Sequence, residues 1–256
     1  MKVSAPSTKV EMETLEKREL LSSAILGSSG LLTITGRLNQ GDSLSATVLS
    51  NGTVSVGING GIPAGSPFTG VKSIKISSLG GPDDILVDES QAPAPIFVQI
   101  YGGPGKDSIQ TVGNEAAFLS GGGGADTIVA GNGNTVVHGG GGGDNITVGN
   151  GNNIVLGGSG ANTISGGTGS DTLVGGDNGD VISGGGGDDL IWGVGGNDTL
   201  TGNIDDLSGE DKIYSGTGFA NQINAGSNDK VNPGHRVHPK NATAFLANLE
   251  SLKTVS

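Results

Sequence analysis

The sequence predicts an all-β chain wound into a parallel β-helix solenoid, with a short helix capping its C-terminal end. Three observations carry that expectation. Glycine supplies 51 of the 256 residues and aromatic residues only 3%, which is poor material for a thick mixed core. The glycines alternate with Ile, Val and Leu in a fixed order, unlike the strict Gly-X-Y register of collagen or the aperiodic composition of a disordered chain. That order recurs every nine residues and keeps register from 112 to 201. A short fixed period marks a solenoid, whose coils bury a thin aliphatic stack.

Taken in order, residues 1–30 read as a polar lead, disordered in part, with a short helix from Val10 to Ile25. The run Leu15-Glu16-Lys17-Arg18-Glu19-Leu20-Leu21-Ser22 resembles the LEPR-XLL segment at the front of large exported bacterial surface proteins, with Lys17 in place of the proline. The same run also reads as a solvated amphipathic helix. Residues 31–101 hold segments that alternate apolar and polar side chains: Leu31 to Thr35, Leu44 to Leu49, Thr53 to Ile58, Val71 to Ile76, Ile85 to Val87 and Ile96 to Tyr101. Gly, Asn and Pro punctuate them, so they read as irregular early coils of the same solenoid. Residues 102–232 carry the nine-residue period. Residues 233–256 leave it, and Ala242 to Leu252 places Phe245, Leu246, Leu249 and Leu252 on one helical face, as a capping helix would.

The net charge of −12 is unevenly placed: between residues 81 and 229 the only basic side chains are Lys106 and Lys212. Without a basic stripe, nucleic-acid binding is excluded. An acidic, ordered segment calls for cations. The absence of cysteine removes disulfides and thiolate metal sites. No apolar run approaches the ~20 residues that span a membrane, and the Lys- and Glu-rich start is no ordinary secretory signal.

Within the period, the clearest copies are Gly121–Val129, Gly139–Thr147, Gly166–Val174, Gly184–Trp192 and Gly193–Thr201. Ala130–His138, Val148–Leu156, Gly157–Ser165 and Gly175–Ser183 are degenerate, and looser copies surround Asp211 and Asp229. The eighth position is aliphatic throughout: Ile109, Leu119, Ile128, Val137, Ile146, Val155, Ile164, Leu173, Ile182, Ile191 and Leu200. Its flanking positions point outward on a strand of about three residues. The remaining positions turn, and their glycines admit positive φ. Two repeats make one coil, so alternate repeats stack at about 4.8 Å. Stacking gathers the sixth positions into two columns. One reads Asp107, Asp126, Asp144, Asn162, Asp180, Asp198; the other reads Ala117, Thr135, Asn153, Asp171, Asp189. Carboxylates about 5 Å apart repel by roughly 3 kcal/mol at an effective dielectric near 20. A hard divalent cation between them reverses the sign, and oxygen-only ligands select calcium.

These residues resemble the RTX, or hemolysin-type calcium-binding, repeat GGxGxDxUx, where U is a large aliphatic. The resemblance implies a right-handed parallel β-roll. It also implies Ca2+ held between stacked turns by sixth-position carboxylates, with carbonyls from positions 2 and 4 of one turn and 1 and 3 of the next. Carried over, one site takes Gly122, Gly124 and Asp126 with Gly139, Gly141 and Asp144, and Gly121 and Gly123 belong to the same turn. Another takes Gly167, Gly169 and Asp171 with Gly184, Gly186 and Asp189. A third pairs Asp180 and Gly176 with Gly193, Gly195 and Asp198, across a tier where Asn178 holds the fourth position. A fourth takes Gly103, Gly105 and Asp107 with Asp126, across an insertion at Thr111. In the second column Ala117, Thr135 and Asn153 replace aspartate, so little metal is expected there before Asp171. Instead Asn132, Asn134, Asn150 and Asn152 recur one coil apart and can form amide ladders.

The function expected is therefore calcium binding with calcium-dependent folding, in an extracellular or cell-surface solenoid of structural or adhesive role. One sheet shows a Thr/Ser face to solvent. The other shows Val136, Ile154, Leu156, Val174, Leu190 and Trp192, too apolar for free solvent; either the C-terminal helix or a protein or cell-surface partner covers it. Catalysis is not expected: there is no GxSxG or HExxH, and paired carboxylates such as Asp188 and Asp189 are explained by the repeat. Zinc at His235 and His238, in a polar tail, and ice binding through the short Asn/Thr turn array are the remaining, weaker readings.

Overall fold

The computed structural model describes residues 22–63, 65–202, 209–217 and 221–232. Among these residues every regular element is a strand. Numbered in chain order, one sheet runs through β1 (Ser23–Leu26), β2 (Leu31–Thr35), β5 (Ser73–Ser77), β7 (Phe97–Pro104), β9 (Ala117–Gly123), β11 (Thr135–Gly141), β13 (Ile154–Ser159), β15 (Thr172–Gly176), β17 (Leu190–Val194), β19 (Lys212–Tyr214) and β21 (Lys230–Asn232). The facing sheet runs through β4 (Val54–Ile58), β3 (Ser43–Val48), β6 (Asp84–Asp88), β8 (Ser108–Val112), β10 (Thr127–Val129), β12 (Asn145–Thr147), β14 (Thr163–Ser165), β16 (Val181–Ser183), β18 (Thr199–Thr201) and β20 (Gln222–Asn224). Successive strands alternate between the sheets from β5 onward, so the chain winds as a parallel solenoid.

The nine-residue period sets this winding. Each eighth-position aliphatic stacks on its equivalent one coil away: Ile128 pairs with Ile109 and Ile146, and Val155 with Val137 and Leu173. All are essentially inaccessible to solvent, and each contributes about 1.5–3 kcal/mol by its burial. The flanking residues face outward, as Thr127 and Val129 do around Ile128. Strands of the second sheet within the repeats are three residues long, from β10 to β20. Those of the first are longer from β9 to β17, because the glycines after the aliphatic continue the pairing, as in Gly140↔Gly158.

The two ends of the sheets differ from the middle. Ser23–Leu26, at the end of the stretch expected to be helical, is a strand that pairs antiparallel with β2. A short apolar run fits either period. The tight return through Gly27 and Gly30 (Gly30 N–H to the Gly27 carbonyl, 3.0 Å) delivers it to the open edge of the first sheet, where Leu26 joins the core and Ile25 remains 64% exposed. β4 closes the second sheet in the same antiparallel way against β3. Both additions turn a parallel edge into a hairpin, which blunts it. Residues 10–21 of the helix expected from Val10 to Ile25, and the capping helix over Ala242–Leu252, lie outside the described residues.

Outward from the first sheet, register aligns Phe118, Val136, Ile154, Thr172 and Leu190 in one row and Ser120, His138, Leu156, Val174 and Trp192 beside it. Tyr101, Phe118 and His138 stack in succession, with ring centroids 5.6 and 5.2 Å apart, and Trp192 meets Tyr214 edge-on at 6.0 Å. Val174 is only 6% exposed although it points outward.

The glycines are required where coils touch. Gly124 has φ +134°, and a Cβ there would strike the carbonyl of Gly105 in the coil before. Gly123 has an ordinary φ, and a Cβ there would meet nothing within 4 Å. Gly124→Ala is therefore expected to destabilise the calcium-loaded protein by at least about 1–3 kcal/mol, while Gly123→Ala leaves its melting temperature nearly unchanged; paired thermal melts check this.

Candidate metal-binding turn columns

Winding places each sixth-position side chain inside a turn, beneath the coil before it. In every tier one oxygen has the same partner. Asp126 Oδ1 accepts from the N–H of Asp107 (2.8 Å), Asp144 Oδ1 from Asp126 (2.9 Å), Asn162 Oδ1 from Asp144 (3.0 Å), Asp180 Oδ1 from Asn162 (2.8 Å) and Asp198 Oδ1 from Asp180 (2.9 Å). The second column does likewise: Asn153 Oδ1 accepts from Thr135, Asp171 Oδ1 from Asn153 and Asp189 Oδ1 from Asp171. These side chains are 1–2% exposed, and the ladders unite the residues that spacing assigned to each column.

The other side-chain atom separates the tiers into two kinds. Asn162 Nδ2 donates to the carbonyl of Gly160 (3.0 Å), Asn153 Nδ2 to that of Gly151 (2.6 Å) and Thr135 Oγ1 to that of Gly133 (3.1 Å). Each satisfies the fourth-position carbonyl of its own repeat. In the aspartate tiers an acceptor stands where the donor should be. Oδ2 of Asp107, Asp126, Asp144, Asp171, Asp180, Asp189 and Asp198 is buried without a hydrogen-bond partner. It lies against the first-position glycine of its own repeat: a Cβ added at Gly121 would meet Asp126 Oδ2 and the Gly139 carbonyl, and one at Gly139 would meet Asp144 Oδ2 and the Gly157 carbonyl. At Gly157 the same probe meets the Asn162 amide nitrogen instead. Carboxylate oxygen and backbone carbonyl thus converge on one small cradle that only glycine leaves open.

Burial is the main cause that lifts these carboxyls above their ordinary value of 3.8. Asp107, Asp144 and Asp180 reach about 6, and Asp171 and Asp189 about 7; the backbone N–H each accepts works in the opposite direction, and a neighbouring carboxylate adds to the rise.

The donor set suits calcium. Among the described residues no three acidic or imidazole side chains cluster, so an ion here is held by carboxylates and carbonyls together. The carbonyls of Gly123 and Gly141 each accept an interstrand N–H, from Gly105 and Gly124, and those of Gly167 and Gly176 accept from Gly186 and Gly195; each keeps a second lone pair for a cation. Gly103, Gly122 and Gly140 stack in register at positive φ. The insertion foreseen at Thr111 is present: Gln110 pairs with Val129, whereas Gly113 already lies beneath Gly131. The asparagine ladders also form: Asn134 Oδ1 accepts from the Asn152 N–H (2.9 Å), Asn152 Oδ1 from the Ser170 N–H (3.0 Å) and Asn132 Oδ1 from the Asn150 N–H (3.4 Å).

Sequence spacing missed the ends of both columns. Asp83 and Asp42 continue the first column upward: the Asp83 N–H donates to Asp107 Oδ1 (2.9 Å) and the Asp42 N–H to Asp83 Oδ1 (2.7 Å). Asp211 and Asp229 continue the second downward, and a Cβ at Gly202 would meet both carboxylates. At the upper end the cation is built in. Arg37 Nε approaches Asp42 Oδ1 at 2.9 Å and the Asn59 amide donates to it at 2.6 Å. Burial raises Asp42, but these donors outweigh it and hold the group below its ordinary value. In the next tier Ser78, fully buried, replaces the first-position glycine and donates its hydroxyl to the Gly102 carbonyl.

Two stacked sheets with an acidic, glycine-walled column in the turns define a cation-binding parallel β-solenoid. More particularly, residues 118–137, 138–173 and 174–206 match the family model for the RTX calcium-binding nonapeptide repeat, in four copies. No curated protein and no solved structure matches the chain. Among the described residues no helix is long and apolar enough to cross a membrane.

Replacing Asp144 by Asn should reproduce the satisfied geometry of Asn162. Asp144→Asn is expected to stabilise the calcium-free protein by about 1–3 kcal/mol and to reduce the extra stability calcium confers; chemical denaturation with and without chelator reads both. Because the folded-state values lie above the ordinary one, these carboxyls stabilise the metal-free fold at acid pH, and that contribution is lost as pH rises through about 6–7. In chelator the melting temperature should therefore fall between about pH 5 and about pH 8, and saturating calcium should largely remove the trend.

Proposed function

We propose that the chain is a non-catalytic structural or adhesive module, secreted or displayed at a cell surface, whose residues 102–232 fold as they bind calcium. The observation that carries this reading is the missing donor: from Asp107 to Asp198 each repeat aspartate keeps a buried, unpartnered Oδ2 beside its first-position glycine, while Asn162, Asn153 and Thr135 supply their own hydrogen. A cation fills that place in the aspartate tiers. Asp107, Asp126, Asp144, Asp180 and Asp198 act on one side and Asp171, Asp189 and Asp211 on the other, with the turn carbonyls named above as co-ligands. Residues 31–101 need little metal: Arg37 and Asn59 serve Asp42 and Ser78 donates to the Gly102 carbonyl, although Asp83 Oδ2 is left buried without a partner. The coils wind right-handed, as parallel crossovers do.

Calcium-poor surroundings leave the acidic tiers without counter-charge and the segment expanded. Extracellular calcium modules bind at about 10⁻⁴–10⁻³ M, and a site at about a hundred times its dissociation constant adds about 2.7 kcal/mol, so a few sites decide whether the coils close. The outward row of Val136, Ile154, Leu156, Val174, Leu190 and Trp192 favours a second role, in which this sheet docks a protein or cell-surface partner; light scattering and pull-down on the folded protein test it.

The primary reading is tested by far-ultraviolet circular dichroism during calcium titration from a chelated start, with magnesium as control. A cooperative gain of β signal at sub-millimolar to millimolar calcium, absent with magnesium, is expected. Full β structure in chelator, with no calcium effect on stability, would overturn it.

A further inference from the structure

Glu89 follows β6, and its N–H donates to the Val112 carbonyl (2.7 Å) of the next coil. It therefore stands one coil before Gly113, whose added Cβ would strike Glu89 Cβ, and two before Gly131. This is the second position of the turn, where the repeat has glycine. The sixth position that the same turn serves is Ala117, so the second column begins with no carboxylate in register. Glu89 brings one from another direction. It is 6% exposed, and its Oε1 is buried with no hydrogen-bond partner. Burial first, then the carboxylates of Glu115 and Asp88, lift it to about 8. The ion pairs found among the described residues, Arg37–Asp42 and Lys230–Glu210, do not involve it.

A glutamate buried beside a second acid, with an oxygen left unsatisfied, is costly unless something positive reaches it. Asp88 is committed to its own turn, since its Oδ1 accepts the Ser90 N–H (2.9 Å). Glu115 is half-buried at the fourth position of the adjoining turn, where the other column has the carbonyl-bearing glycine Gly124. A hard divalent cation fits this arrangement, with two carboxylates, turn carbonyls and water completing an oxygen shell. We propose that Glu89 and Glu115 hold one further calcium ion at the N-terminal end of the second turn column, outside the nonapeptide register. The ion takes the place that Asp171 and Asp189 serve lower in the same column, and it ties the metal-free coils to the first repeats.

Isothermal titration of calcium into the full chain tests the site, comparing wild type with Glu89→Gln, Glu115→Gln and Asp144→Asn. The two glutamate variants should each lose one ion from the count, or bind it more weakly by about tenfold or more, while the repeat sites persist. Unchanged counts and affinities in both variants would overturn the site, and a Glu89→Gln protein equally stabilised with and without calcium would then mark Glu89 as a buried carboxyl only. Should Glu89→Gln fail to fold, the partly exposed Glu115→Gln decides the matter alone. Asp144→Asn separates the two ideas: a change there without one in the glutamate variants leaves the repeat sites standing and removes only this one, and a wild type that binds no calcium removes both.

Discussion

One small volume governs this molecule: the point beneath each turn where a sixth-position side chain faces the carbonyl two residues before it, walled by the first-position glycine and the coil below. One oxygen of the side chain is committed to the N–H of the coil above, so the second atom must supply positive charge or a hydrogen. Asn162, Asn153 and Thr135 supply a hydrogen. The aspartates supply neither. A buried acceptor left unmade costs about 1–3 kcal/mol, and repeated through the columns that deficit is comparable with the ~5–15 kcal/mol by which domains are stable. The aliphatic stack fixes the shape of the coil, and this volume is where a bound cation adds to its stability.

The glycines follow from the same volume. They are absent as packing material and present as clearance: Gly121 and Gly139 leave the cradle open, and Gly122 and Gly124 let one coil's backbone ride against the carbonyls of the one before. Ser78 shows the alternative. Where the first position carries a side chain, its hydroxyl occupies the cradle and satisfies the Gly102 carbonyl itself, while Asp83 Oδ2 in the same tier stays buried without a partner.

What the sequence revealed was what repeats. The eighth-position stack, the membership of both columns from 107 to 198 and the asparagine ladders all obey a fixed spacing, and each is found in the structure. The column ends were hidden because spacing fails there. Asp42 and Asp83 are separated by β4, an antiparallel addition to the coil that β3 begins, and Asp211 follows a longer connection than its neighbours. Arg37 reaches Asp42 through a turn that no periodicity marks. Ser23–Leu26 is too short for its apolar pattern to distinguish a strand from the end of a helix, and the deciding term was the open sheet edge waiting beside it. Glu89 escapes a reading by period for a related reason: it is informative only as a departure from glycine at a position whose register becomes visible once Gly113 and Gly131 are seen stacked beneath it.

These particulars give the solenoid a direction. In a stack where each coil contacts only its neighbours, stability is a sum of local terms and interfaces, so the order in which coils close follows the order in which their turns are satisfied. The first coils carry their own cation and hydroxyl. The middle ones alternate, with aspartates on one side and asparagine or threonine on the other. From Asp171 to Asp198 both columns are acidic, until Asn221 takes the next place in the first. The need for external positive charge therefore rises from the coils of Asp107, Asp126 and Asp144, with one acidic repeat turn each, to the coil of Asp180 and Asp189, with two. Such a gradient lets finished coils present a ready-made template of N–H donors, Asp107 to Asp126 and Asp126 to Asp144, to the carboxylate that follows. A uniform acidic repeat would lack that template, and its first coil would have to form against the full repulsion with nothing to form upon.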